Sequence, residues 1–554
     1  MNIFLRNGLI FTSILLIAGV TGCSKDSANV EDEDPDGDIT LSLFGADMHS
    51  QWDNMDSPVS QIVKEETGVT LNAEFDVNGG DQKISLMAAS GDYPDLILPK
   101  GNASTLVDSG ALLDLTNLID EHAPNLKKIY GDYYDRLKWS NEDESIYILA
   151  TPPVDQTYWQ PGTGFMLQHD VVEELGYPDI RTVQDFEDAI KEYKDKNPTI
   201  DGQPTIGLSL LADDWRIMIS TTDPAAFATG STGDGEFYVD PETYEAKLHY
   251  RRSEEKDYFR WLNHMNDIDL LDPESFVQKY DQYLAKISSG RILGLIDSDW
   301  QVGEAQRSLR EAGMEGRMHG MYPVTLTEDF KHPNFQDTGY LGGWGIGISV
   351  DCENPVRAIK FLDYLASDEA QILQNWGIEG EHYTIEDGKR VISEEEMDER
   401  DNNANYQKQT GIGVLKGFAP AYGDGVEDST GQTYTIASPE QIKDSYTDKE
   451  KEVLGEYGAE LWKDLYPQED EFPAKPWGAA YNMAVPSGSS LELTLQRCLD
   501  IMKRKIPEAI LADPNDFDKV WDEFMTELEG AGVEEAEKEY TELIKSRVEL
   551  WGGS

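Results

Sequence analysis

The residues of this chain best suited to chemistry are aromatic rings set in loops rich in glycine, proline and acid. Trp52 lies beside Asp47, His49 and Asp53. Tyr158 and Trp159 precede Pro161-Gly162, and Trp300 follows Asp299 at the end of an apolar run. Trp344 stands in Gly342-Gly343-Trp344-Gly345. Trp477 sits between Pro476 and Gly478, with Tyr481 and Asn482 just beyond. Aromatic faces cover the C–H faces of sugar rings, while carboxylates, amides and Arg bond the hydroxyl edges. A well-buried ring contributes about 2–3 kcal/mol. Trp52, Tyr158, Trp159, Asp299, Trp300, Trp344, Trp477 and Tyr481 are therefore the ligand-contact candidates, each weighed against simple core packing. Trp215, Trp261, Trp462, Trp521 and Trp551 stand in helix-like apolar patterns and are expected in the core.

Other chemistries find less support. His319, His332 and His382 do not form a metal-spaced set. Asp195-Lys196-Asn197-Pro198-Thr199-Ile200-Asp201-Gly202 departs from the ligand spacing of a calcium loop and reads as a helix-to-strand turn. There is neither a Walker phosphate loop nor a Gly-x-Ser-x-Gly elbow. Among 106 Asp and Glu, pairs about 5–10 Å apart arise by accident, so a glycoside hydrolase remains only the weaker alternative. No catalytic residue, metal or cofactor is expected.

The elements that must position these rings alternate along the chain. Ile39–Phe44, Val69–Phe75 and Asp95–Leu98 read as strands. Between them lie two helices, one entered through Ser57-Pro58 and closed by Gly68, the other over Asp81–Ala89. A βαβαβ run implies an α/β fold with a parallel sheet, whose ligands bind beyond the carboxyl ends of the strands. The loops Phe44–Asp53 and Pro99–Ala103 fall on that edge.

Composition sets the frame. The chain has 554 residues, with 46 Lys+Arg against 106 Asp+Glu, a net charge of −60 that excludes a phosphate-binding surface for nucleic acid. The 10% aromatic content argues for a folded body despite the charge. At the N-terminus, Arg6 precedes the apolar run Leu9–Val20, which is short for a membrane span and shaped like a secretory signal. Val20-Thr21-Gly22-Cys23 then resembles a bacterial lipobox, so residues 1–22 are expected to be removed and Cys23 lipidated, anchoring the protein on the outer face of the cell membrane. Residues 23–38, with seven acidic side chains, read as a self-repelling, extended tether. Cys352 and Cys498 are expected as buried free thiols, a disulfide between them being the alternative.

Several further stretches carry a resemblance. Ala88-Ala89-Ser90-Gly91-Asp92-Tyr93-Pro94-Asp95-Leu96-Ile97, Gly164–Asp170, Thr182-Val183-Gln184-Asp185-Phe186, Ile287–Ile292 with Asp297-Ser298-Asp299-Trp300, Gly342–Ile348, Ala358–Leu365 and Trp376–Tyr383 follow one another in the order found in family 1 of the extracellular solute-binding proteins. The chain resembles the long lipoproteins of that maltose-binding-like group that serve oligosaccharide ABC importers. The resemblance implies a two-lobe fold with a ligand cleft: an N-terminal lobe of 39–155 with 340–395, and a C-terminal lobe of 156–339 with 396–554. It also implies a binding function without catalysis, and two partners, an oligosaccharide and the transmembrane subunits of a permease. A receptor for peptides or another solute is the alternative on the same fold. An anionic glycan would need cations such as Lys100, Arg216 or Arg307 in the cleft. The acidic bulk favours a neutral one.

Overall fold

The structure, a computed structural model, describes residues 37–76, 80–232, 234–337 and 339–552. The signal segment, Cys23 and the tether up to Asp36 lie outside the described residues.

The expected alternation begins at once. β1 (Ile39–Gly45) and β2 (Val69–Phe75) pair in parallel, and β3 (Leu96–Leu98) pairs in parallel with β1 on its other side. The intervening helix, Pro58–Thr67, starts where sequence places it. The Ser57 hydroxyl accepts the Ser60 amide, Pro58 occupies the first turn, and Gly68 ends the helix at φ 63°. β4 (Leu149–Ala150) completes the part of this sheet drawn from the first third of the chain.

The chain then builds a second sheet. β5 (Thr163–Gln168), β6 (Ile206–Ser209), β7 (Ile292–Ser298) and β8 (His319–Tyr322) assemble in the order β8-β5-β7-β6. β5 runs antiparallel to β7 and β8, and β6 parallel to β7. β9 (Gly345–Ile348) returns to the first sheet, antiparallel between β3 and β4, giving the order β2-β1-β3-β9-β4.

Each sheet carries its own core, which makes the fold a two-lobe α/β structure. Leu41, Leu43, Leu96, Ile346 and Ile348 anchor the first, and Phe165, Leu167, Leu208, Leu293 and Ile296 the second. Three C-terminal helices, Ser490–Ile510, Phe517–Ala531 and Val533–Leu550, pack Met502, Phe524 and Ile544 into the second core. The segment from Tyr406 to Ala419, given to the C-terminal lobe on sequence, does not pack there. It inserts Tyr406, Ile412, Leu415 and Phe418 into the first core. Cys352 and Cys498 are buried free thiols, and burial pushes them up to about 12 and about 11.

Candidate functional site

The second sheet supplies the most exposed aromatic surface. β7 is buried along its whole length and ends at Ser298. Its Asp297 carboxylate is held by the Tyr283 hydroxyl at 2.8 Å and the Gln301 amide at 2.6 Å, and burial raises its pKa to about 6. That anchor fixes the start of helix Asp299–Glu311, whose Asp299 amide donates to Gly162 O at 3.0 Å. Asp299 accepts the Trp300 amide at 2.6 Å, and its pKa is raised by burial. Trp300 projects from the first helical turn with 62% of its surface exposed. Its indole lies parallel to that of Trp215, at 6.3 Å between centroids and 8° between planes. Trp215 is itself 44% exposed, contrary to the core position expected for it. The Arg216 guanidinium lies 5.0 Å from the Trp215 ring and 4.6 Å from that of Tyr280, and it pairs with Asp214 at 2.5 Å. Two parallel, exposed indoles backed by a stacked cation form a platform for an apolar ring face.

A second aromatic corner lies at the return crossover. Trp344 stands 5.3 Å from Tyr481, and both are exposed. The Lys100 ammonium is 5.4 Å from the Trp344 ring and pairs with Asp47 at 2.7 Å. These rings line a cavity of about 370 Å3 together with Trp139, Met483 and Trp551. The structure thus brings Trp344 and Tyr481 together from positions 137 residues apart.

The remaining candidates fare differently. Trp52 is half-buried in a four-ring cluster with His49, Phe75 and Phe418, at centroid distances of 5.9, 5.5 and 5.9 Å. Its loop is shaped by buried Asp53, which accepts the Met55 amide at 2.9 Å and the Ser60 hydroxyl at 2.6 Å, and it holds Asn54 and Met55 at positive φ. Tyr158 is 53% exposed. Trp159 packs against the second core, with the Lys463 ammonium 5.5 Å from its ring. Trp477 is a correction: only 2% exposed, it donates from Nε1 to Asp234 at 3.1 Å inside the second core, so its ring has no free face for a ligand. Trp261, Trp462, Trp521 and Trp551 are buried, as expected. Of the cations considered for an anionic ligand, Lys100 and Arg216 are taken by carboxylates. At the degenerate loop, Asp195 pairs with Lys191 and Asp201 with Arg317, and Thr199–Ile200 forms a hairpin with Gln203–Pro204.

Sequence reasoning missed Trp215 because Leu210-Leu211-Ala212 precedes it. The signal that could have found it is Asp213-Asp214, an acidic break that turns the next residue outward. Trp139 and Trp551 have no such local signal, since their place at the corner depends on elements distant in sequence.

Comparison with known proteins follows this geometry. Residues 50–372 match the family model described as bacterial extracellular solute-binding protein. Lipoprotein LipO of Bacillus subtilis is 21% identical over 472 residues, 81% of this chain and 86% of that protein. The fructooligosaccharide ABC transporter substrate-binding protein FusA of Streptococcus pneumoniae is 22% identical over 319 residues, 51% of this chain and 55% of that protein. Among solved structures, an HMO-binding, ABC-transporter-associated solute-binding protein from Bifidobacterium longum infantis superposes with a TM-score of 0.67 at 16% identity, covering 92% of this chain and 100% of the other. FusA in complex with kestose superposes at 0.64 with 17% identity, covering 92% and 99%.

Proposed function

The chain belongs to the bacterial extracellular solute-binding protein family, and from that premise we propose that it captures an oligosaccharide outside the cell and delivers it to an ABC permease. The observation that carries this reading is the Trp215–Trp300 pair. Two large rings left parallel and exposed forfeit burial worth about 2–3 kcal/mol each, which a ligand's ring faces restore. The relatives support the same class, since several are named for oligosaccharide binding or ABC transport.

The ligand is a neutral glycan. Lys100 and Arg216 already have carboxylate partners, and a chain of net charge −60 repels an anion at ranges within about 8–10 Å before salt screens it. Trp300, Trp215 and Tyr158 cover its rings from the C-terminal lobe, and Trp344 with Tyr481 from the crossover corner. The two lobes close on it because contacts to both are available only in the closed form, so the ligand shifts the population. Cys23 carries the lipid, residues 23–38 are the tether, and the permease meets the closed lobes. The first lobe gains Tyr406–Ala419, since that segment joins the first core, while the second keeps 156–339 with the three C-terminal helices.

A thermal-shift and calorimetric screen of residues 24–554 against neutral glycans, uronic-acid oligomers and peptides tests this. A bound ligand raises stability by RT ln(1 + [L]/Kd). Saturable binding of a neutral glycan without cleavage is the expected result. Binding confined to uronic-acid oligomers or peptides contradicts it, as does release of shortened products.

A further inference from the structure

The corner formed by Trp344 and Tyr481 depends on a contact that crosses from one core to the other's connection. Tyr481 belongs to the short turn Ala480–Asn482, whose approach is fixed in the second core. There Asp234 accepts the Lys475 ammonium at 3.1 Å, the Trp477 indole at 3.1 Å and the Ala480 amide at 3.2 Å. Trp344 belongs to the crossover that feeds β9 of the first sheet, where its carbonyl accepts the Thr151 amide at 3.0 Å.

Asn482 joins the two. Its side-chain amide donates to Leu341 O at 3.1 Å and Gly342 O at 3.2 Å. Its side-chain carbonyl accepts from Arg547 Nη1 at 2.6 Å, while Arg547 Nη2 donates to the Asn482 backbone carbonyl at 2.9 Å. Arg547 also donates to Ala479 O at 3.0 Å, so one guanidinium holds the turn by backbone and side chain together. The guanidinium lies 5.0 Å from the Trp551 ring, and the same ring is 4.8 Å from Arg136, which donates to Tyr340 O at 3.0 Å. The crossover is therefore gripped at Tyr340, Leu341 and Gly342. Gly343 completes the fit. It sits at φ 83°, and a Cβ there would lie 2.3 Å from the Asn482 amide nitrogen, so only glycine lets the crossover pass this close.

We propose that Asn482 is a positioning residue for ligand capture: seated on Arg547 of the C-terminal helix, it latches the second lobe to the glycine crossover and so fixes both the facing of Trp344 on Tyr481 and the balance between open and closed lobes. Its side chain touches two backbone carbonyls and an arginine, and its effect on the ligand passes through the rings it places. The affinity arm rests on the binding reading given above; the lobe-position arm does not.

The test uses the mature chain with Leu86→Cys and Leu511→Cys as label sites, both exposed, the first on a helix of the first lobe and the second at the end of a helix of the second. Asn482→Asp still accepts from Arg547 but cannot donate to Leu341 and Gly342, and its charge repels those carbonyls. Gly343→Ala attacks the same contact from the crossover side. Each single variant should change the ligand-free interlobe distance distribution and weaken neutral-glycan binding at least tenfold, with the thermal midpoint of Asn482→Asp near that of the parent. If Asn482→Asp fails to fold, Gly343→Ala carries the comparison. Distance distributions unchanged in both single variants overturn the proposal. A parent that binds no glycan while the distributions still shift removes the binding reading and leaves the latch standing.

Discussion

Trp300 and Trp477 have similar local credentials and opposite fates. Trp300 opens a helix and Trp477 stands in a Pro-Trp-Gly turn, yet Trp300 is 62% exposed beside Trp215 and Trp477 is 2% exposed beside Asp234. The difference lies in what each indole N–H and ring face meets. Trp477 finds a buried carboxylate 243 residues away in sequence and core apolar groups around it. Trp300 leaves a fully buried strand and turns out on the first turn of a helix, where another exposed indole lies parallel to it. On the proposed function the exposed pair serves binding and the buried ring stability.

That division can be broken in order of expected effect. Trp477→Ala should destabilise the second lobe by about 3–5 kcal/mol, a core truncation that also removes one of three donors to Asp234, measured by chemical denaturation. If it lowers glycan affinity while leaving stability unchanged, Trp477 is a ligand contact after all. Trp300→Ala should do the reverse. A loss of about 1.4–2.8 kcal/mol of stacking weakens binding about 10- to 100-fold in calorimetry, with the unfolding free energy within about 0.5 kcal/mol of the parent. Trp215→Ala should weaken binding less, about fivefold, because the Trp300 face remains; an effect larger than that of Trp300→Ala would invert the roles within the platform.

A separate effect is a pH dependence confined to the stable side of the division. Buried His249 sits 2.6 Å from Glu255 and 3.9 Å from Asp223. Burial opposes its charge, but the Glu255 carboxylate outweighs this and raises it from 6.5 to about 9; burial raises Asp223 from 3.8 to about 8. Both folded values lie above the unfolded ones, so the folded state holds protons that the unfolded chain releases. Stability from Asp223 should fall as pH rises from about 4 to about 8, and that from His249 as it rises from about 6.5 to about 9. Denaturation midpoints at pH 6 and pH 9 check this, the lower being expected at pH 9. Asp223→Asn should flatten the slope, and a midpoint that rises with pH contradicts the assignment.

Much of the fold is legible in the sequence because its signals are local. Ser57-Pro58 and Gly68 bracket a helix through caps that their own neighbours complete, and period-two apolar runs give β1 and β2. The site is less legible because its determinants are not local. Asp299-Trp300 at a strand end points outward on its own. Trp215 looks like core until Asp213-Asp214 is weighed, and the burial of Trp477 depends on Asp234. Likewise nothing in Tyr406–Ala419 itself says which core it joins. Phe418 joins the first by packing on Trp52, His49 and Phe75, rings far from it in sequence.

The most direct measurement is a calorimetric titration of a neutral oligosaccharide into the mature chain, beside Trp300→Ala of equal thermal stability. The parent should bind saturably and without turnover, and the variant at least tenfold more weakly. Equal affinities in the two proteins, or no neutral glycan bound by either, would contradict the central claim that the exposed indole platform is the surface on which this receptor takes its ligand.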